Sequence, residues 1–382
     1  MKKKYKGRNL GYLLLMGWFG LISTTGIGQQ NEKMVWHDAS TMFVAGKLDT
    51  LDTEPFQRFP ASMKEKVREQ VWRLSRNSAG LYLEFKTDAG DIEVQYGVEN
   101  PHAFQHMPAT GVSGVDLYAF DEDKNWQWVR GAYSFKDTIT YRYNGIKPEN
   151  RKTIKTYRLY LPLYNTLEWL KIGVPETSVF EDVKTITDQK PIVVYGTSIV
   201  QGGCASRAGM AWPAILGRQL GQPIRNLGFS GNGRLEPEII DFMAQNQASL
   251  FVLDCMANFT LEGSLGAQEA EKRILKAVQD LRDKQPNVPI LLVEHAGYSD
   301  GEMQPQRKKV YEALNIATQN AYAQLIAQKV KSIYLLEKAE MGLGEDSFVD
   351  GTHPNDHGMV KYAVAVGNSI TEKIAVDGKT SE

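Results

Sequence analysis

The strongest constraint on this chain is a change of hydrophobic rhythm between residues 176 and 189. Before it, short runs alternate apolar and polar residues between turn signals. After it, continuous apolar runs at residues 192–195, 250–253, 290–293 and 333–336, and a shorter-patterned strand at 224–227, are each followed by a segment of helical period. A period of two gives strands with one buried face, whereas an unbroken apolar run trailed by a helix gives a parallel strand covered on both faces. The chain therefore divides into an all-β half, residues 29–180, and an α/β half, residues 190–378. In the first, strands are predicted at 71–75, 81–85, 92–98, 115–120, 126–129, 139–143, 156–161 and 167–174. The second and third of these read as a hairpin closed by Asp88-Ala89-Gly90-Asp91. Strands at this spacing favour a sandwich or jelly roll. In the second half, helices near 211–220, 236–245, 267–284, 306–329 and 356–371 would cover both faces of a parallel sheet.

Residues 1–28 carry Lys2, Lys3, Lys4, Lys6 and Arg8, then an apolar stretch from Leu10 to about Ile22, then small residues at Gly26-Ile27-Gly28. This is the pattern of a cleaved signal peptide. The apolar stretch is shorter than the roughly 20 residues a spanning helix needs, so no stable membrane span is expected after cleavage. The expected location is the periplasm or the exterior of a bacterial cell. The leader holds five cations and no acid, so its loss takes the formal charge from −1 to −6, which gives no basic face for nucleic acid. Cys204 and Cys255 are the only cysteines. In an oxidising compartment they read either as one disulfide tying two loops or as two buried free thiols.

In an open parallel sheet, functional groups gather just beyond the carboxyl ends of the strands. Four segments of this sequence fall there. The first strand of the α/β half ends in Tyr195-Gly196-Thr197-Ser198, which sets a hydroxyl on the turn leaving the sheet. The second runs into Asn226-Leu227-Gly228-Phe229-Ser230-Gly231-Asn232-Gly233, whose glycines let backbone N–H groups approach a ligand. The third ends in Asp254-Cys255-Met256-Ala257-Asn258, with an amide at the same rim. A glycine N–H, the Asn258 amide and the Ser198 N–H can together form an oxyanion hole. The fourth segment, Asp350-Gly351-Thr352-His353-Pro354, follows the last strand; an Asp three residues before a His can fix the imidazole tautomer while the other ring nitrogen faces a serine. Each segment alone reads as ordinary turn chemistry. Their coincidence at four strand ends is what points to a site.

These residues resemble the SGNH hydrolases, also called GDSL esterases and lipases, whose motifs run Ser, Gly, Asn, then Asp-x-x-His. The resemblance implies a flavodoxin-like three-layer fold with a five-stranded parallel sheet. It also implies Ser198 as nucleophile, Gly231 and Asn258 as oxyanion donors, and Asp350 with His353 as the rest of a triad. The first block reads Gly-Thr-Ser-Ile where the family name has Gly-Asp-Ser-Leu, a departure that removes no triad member. Gly114-Val115-Asp116-Leu117-Tyr118 resembles the Gly-x-Asp-Leu-Tyr signature of a mostly bacterial, exported subfamily with an N-terminal β-sandwich. Related two-domain enzymes deacetylate sugars or polysaccharides, so the resemblance implies a carbohydrate ester as substrate and no metal or organic cofactor. A lipid or thioester hydrolase with the same triad is the alternative within the family. A non-catalytic glycan-binding protein is the alternative outside it, against which the complete set of motif residues speaks.

Other residues keep two readings. Glu294 and His295 end the fourth strand and read either as substrate contacts or as structural groups. His353 and His357, four apart, raise metal binding, but no third ligand is evident and His357 reads as a solvated first-turn residue. His37, His102 and His106 lie in the β half without evident acid-base partners. Trp126, Trp128, Tyr141 and Tyr143 alternate along strands, and one face of a sandwich core is preferred to a sugar-stacking platform.

Overall fold

The computed structural model describes residues 33–120, 125–146, 153–184 and 189–374, so the expected leader at 1–28 lies outside the described residues. The alternating runs of the first half form β1 (Met34–Asp38), β2 (Val44–Ala45), β3 (Tyr82–Thr87), β4 (Ile92–Val98), β5 (Asp116–Phe120), β6 (Trp126–Trp128), β7 (Ala132–Ser134), β8 (Ile139–Tyr143), β9 (Lys155–Tyr160), β10 (Leu167–Pro175) and β11 (Phe180–Asp182). They pair into two antiparallel sheets, one ordered β1-β10-β4-β8-β7 and the other β11-β3-β9-β5-β6 with β2 on β3. The inward residues of both sheets, among them Phe85, Val94, Tyr96, Leu117 and Leu159, form one core, as a sandwich requires. Tyr141 and Tyr143 belong to that core, whereas Trp128 is half exposed and donates its indole N–H to Asp116.

Two expectations for this half are corrected. Residues 71–75 are not a strand but lie in helix α1 (Glu69–Ser75). Five residues with two polar positions fit either period. What decides is that Val71 and Ser75, four apart, are the buried pair. The hairpin between 81–85 and 92–98 does not form, because β3 and β4 lie in different sheets and the Asp88–Asp91 turn links one sheet to the other. Alternation fixes which face a strand buries, not which strand it pairs with.

In the second half the five expected strands become β12 (Ile192–Gly196), β13 (Ile224–Gly228), β14 (Leu250–Asp254), β15 (Ile290–Val293) and β16 (Ile333–Leu336), all parallel, in the order β13-β12-β14-β15-β16. After the short helices α2 (Ala109–Val112) and α3 (Ser198–Gln201), the helices that cover this sheet are α4 (Trp212–Leu220), α5 (Pro237–Ala244), α6 (Ala267–Lys284), α7 (Pro305–Ala327) and α8 (Asp356–Asn368). Helices α4 and α8 pack together on one face, and α5, α6 and α7 pack on the other. This gives three layers. The chain order reverses direction at β12, so the crevice beyond the ends of β12 and β14 is the expected ligand position.

β13 is an edge strand, and its free carbonyls would be a liability if left bare. Arg58, from the β half, covers them. Its guanidinium is buried and donates to Asn226 O at 3.3 Å and Gly228 O at 2.7 Å on β13, and to Asn77 O at 2.9 Å and Leu74 O beside α1. Burial pushes its pKa down to about 9, and no carboxylate pairs with it among the described residues. A second clasp uses the Gly-x-Asp-Leu-Tyr segment. Asp116 accepts from the Arg207 guanidinium at 2.5 Å and from Gly209 N at 3.0 Å, and Tyr118 Oη accepts from the same guanidinium at 2.6 Å. A Cβ on Gly114 would sit 2.3 Å from Thr110 O, so the leading glycine is required by close approach. No described helix is long and apolar enough to cross a membrane.

Arg58→Met would keep the volume and remove the donors, leaving four carbonyls without their partner. The expected loss is about 3 kcal/mol or more, read as a lower urea midpoint. A loss below about 1 kcal/mol would mean that water replaces the guanidinium.

Candidate active site

Ser198 opens α3 directly after β12. Thr197 caps that turn, its hydroxyl accepting from Ile199 N at 3.2 Å. The Ser198 carbonyl accepts from Gly202 N at 3.0 Å, from Gly203 N at 2.7 Å and from the Tyr164 hydroxyl of the β half at 3.1 Å. The Ser198 Oγ lies 2.8 Å from His353 Nε2, and His353 Nδ1 lies 2.7 Å from Asp350 Oδ2. Asp350 Oδ1 accepts from His353 N at 2.8 Å and Thr352 N at 3.0 Å. Burial alone would raise the Asp350 pKa, but these N–H donors and the imidazole hold it below the usual carboxylate range. An ionised carboxylate only accepts, so Nδ1 carries the proton and Nε2 is left to accept from Ser198.

The loop carrying Asp350 is held from α7. Arg307 donates to the Thr352 hydroxyl at 2.9 Å and to Asp300 at 2.8 Å, a brace between residues too far apart in the chain to be read from local pattern. Asn355 then caps α8 through Gly358 N at 3.0 Å, which stops the loop two residues after His353.

Gly231 sits at φ +66°, a left-handed position where a side chain would be strained. Its N–H and that of Ser198 donate to no acceptor among the described residues. The loop between them is fixed by Gln201, which accepts from Ser230 N at 2.9 Å while donating to Asn77 Oδ1 at 3.2 Å and Leu163 O at 3.1 Å of the β half. Asn258 is arranged differently from its expected role. Its amide donates to Phe229 O at 3.3 Å and Gly233 O at 3.1 Å, so it braces the glycine loop and would have to release one of these carbonyls to reach an oxyanion.

Several open readings are decided here. The two cysteines are free thiols. Cys204 donates toward His106 O at 3.5 Å, while Cys255 points toward Tyr195 O at 3.7 Å in the apolar cluster beneath α5 and α6, so the side chains diverge and no bridge forms. Burial, then the charge of Asp350, pushes the Cys204 thiol up to about 12, which keeps it protonated. Glu294 and His295 do not reach the cleft. The Glu294 carboxylate accepts from Gln319 and from Lys338 N, both at 2.7 Å. His295 is buried beside Tyr298, accepts from Gly297 N at 2.9 Å, and is pushed down to about 3, first by burial and then by Arg307 and Lys338. Both are structural groups between β15 and α7.

His357 is exposed and stands apart from the site, as a solvated residue would. His106 is the histidine that sequence reasoning missed; its ring stacks on His353 at 5.8 Å and 24°. His106, Cys204, Asp350 and His353 offer donor atoms all within 4.8 Å of one another, a ligand set for a soft divalent metal. A metal there would have to displace the imidazole hydrogen bonds just described. Above His353 opens a cleft of about 440 Å³ with residues of both halves in its walls.

Comparison with known proteins now places the chain. Residues 189–371 match the GDSL-like lipase/acylhydrolase family, and residues 34–180 match the N-terminus of the SGNH-hydrolase type of esterase. The chain belongs to the GDSL-like lipase/acylhydrolase family. As a member of this family it is a carboxylic ester hydrolase by class. A protein described as a GDSL-like lipase from Bacteroides ovatus superposes with a TM-score of 0.81 at 29% identity, over 89% of this chain and 98% of that one. A salicylyl-acyltransferase from a tetracycline biosynthetic pathway gives 0.71 at 18% identity, over 91% and 98%. A family two carbohydrate esterase from Cellvibrio japonicus gives 0.56 at 11%, over 90% and 99%; these last two likenesses are of fold. No curated protein sequence matches the chain.

Below the site, Asp254 ends β14 fully enclosed, with one hydrogen bond, from Tyr362 of α8 at 2.8 Å. Burial raises its pKa to about 7. Between about pH 4 and 7 the native state then binds a proton that the unfolded state has released, so stability falls as pH rises through that window. Asp254→Asn removes this slope: its Tm should exceed that of the native sequence at pH 8 and lose the advantage at pH 4. Parallel Tm curves for the two proteins would contradict the assignment.

Proposed function

We propose that the protein is an exported serine esterase that removes acetyl groups from carbohydrates, acting through Ser198, His353 and Asp350. The observation that carries this reading is the continuous hydrogen-bond chain from Ser198 Oγ through both imidazole nitrogens to Asp350, lying at the base of a cleft. In this reading residues 1–28 are a leader, 29–180 the β-sandwich domain and 190–378 the catalytic domain.

Ser198 Oγ passes its proton to His353 Nε2 as it attacks the ester carbon, and Asp350 stabilises the imidazolium that forms. The oxyanion of the tetrahedral intermediate is received by the N–H groups of Ser198 and Gly231, joined by Asn258 if its amide turns from the loop. Collapse expels the sugar oxygen, which takes the proton from His353. Water then enters, His353 removes its proton, and attack on the acyl carbon frees acetate and restores Ser198. A polar cleft wall with Gln70, Arg73 and Asn232 supports a hydroxylated leaving group over a lipid chain.

Ser198→Ala should lower kcat on p-nitrophenyl acetate by roughly 10⁴- to 10⁶-fold with an unchanged Tm. Asp350→Asn should cost about 10⁴-fold, because the amide favours the wrong tautomer. Full activity in Ser198→Ala would end the reading. Across p-nitrophenyl esters, kcat/KM should fall steadily from acetyl to octanoyl; a maximum at long chains would point to the lipid alternative.

A further inference from the structure

The cleft that His353 lines is bordered by two unlike groups of side chains. In one, Phe104 stacks on His106 at 5.9 Å and 21°, and His106 stacks in turn on His353 at 5.8 Å and 24°. Three near-parallel rings thus lead from the rim to the base, and Phe104 is 39% exposed. The same cleft is lined by Gln70 and Arg73 of α1 and by Asn232 of the glycine loop. Arg73 is exposed, and its guanidinium has no hydrogen bond or ion pair among the described residues. Its neighbours are committed: Arg68 to Glu236 and Asn232, Arg76 to Glu99. Arg73 is therefore the one permanent charge among the cleft-lining residues, and no carboxylate lines the cleft among the described residues.

Rings and a free guanidinium lining one cleft have a definite complement: a molecule that carries both an apolar ring face and a carboxylate. Resting on the esterase reading above, we infer that the sugar this protein deacetylates is acidic, a uronate whose carboxylate is bound by Arg73 while its ring lies on Phe104, the exposed end of the ring stack. The planar fork of arginine takes a carboxylate through two parallel N–H bonds, and an aromatic face receives the C–H side of a sugar once water leaves both. Charge in an exposed site of this kind selects among ligands more than it tightens all of them.

The experiment compares kcat/KM on two mono-acetylated methyl glycosides that differ only at C6, a glucuronoside and the corresponding glucoside, at low salt. The native protein should prefer the glucuronoside by about tenfold or more, and the preference should shrink as salt screens the pair. Arg73→Ala should bring the ratio of the two substrates close to one. Arg73→Lys should restore part of it, since it returns the charge without the fork, and a merely structural role for Arg73 would not move this ratio. Equal rates on both glycosides with the native protein, or the native ratio retained in Arg73→Ala, would overturn the inference. Hydrolysis of p-nitrophenyl acetate with neither glycoside turned over would also overturn it and leave the esterase standing. Failure on all three substrates would remove the esterase reading itself.

Discussion

Arg58 carries a positive charge into the interior with no carboxylate to meet it among the described residues, and the way the two halves join follows from how that charge is satisfied. A lone guanidinium out of water is costly, and its lowered pKa reflects this. Four backbone carbonyls offset the cost, two from the β half and two from the open edge of β13. The same contact solves the opposite problem for β13, whose outward carbonyls would otherwise be a bare sheet edge. Each half supplies what the other lacks. The ring of Phe229, 4.8 Å beneath the guanidinium, continues the contact into the loop that carries Ser230 and Gly231.

The candidate site inherits this dependence. Ser198 keeps its place partly through the Tyr164 hydroxyl, and the glycine loop through Gln201, which is tied to Asn77 and Leu163; all three partners belong to the β half. Arg68 adds a further tie, from the β half to Asn232 and Glu236 at the rim. At the other side of the same segment, Asp116 holds Arg207, three residues beyond Cys204. The short stretch from Ser198 to Arg207 is thus gripped at both ends by the sandwich, so the sandwich shapes the site as well as supporting it.

What could be read from sequence divides along the same line. Four strands of the parallel sheet, all but the edge strand β13, were legible because complete burial leaves an unbroken apolar run, and Asp350 with His353 because their geometry is local, three residues apart. The glycine loop was legible as a loop. Long-range partners were not: nothing in the neighbourhood of Arg58, Gln201 or His106 announces a contact more than a hundred residues away. The five residues 71–75 failed for a different reason, since so short a run satisfies two periods, and β3 and β4 failed because the pattern names a face without naming a partner. The Gly-x-Asp-Leu-Tyr segment was recognised as a signature, while its physical task, gripping Arg207, needed the fold.

Two carboxylates near the site show how far surroundings decide chemistry. Asp350 is partly open to solvent and accepts from two backbone N–H groups and an imidazole, which together outweigh its desolvation and keep it ionised. Asp254 is sealed between the end of β14 and α8 with a single phenol, which does not outweigh burial, and its pKa is pushed up to about 7. The difference is one of donors rather than of sequence: a carboxylate that must stay charged beside a histidine has to sit where several N–H groups converge. A tight turn between a strand and a helix provides that convergence with three residues. Asp-x-x-His at such a turn therefore builds its own electrostatic environment, and only the serine has to be brought from elsewhere by the fold.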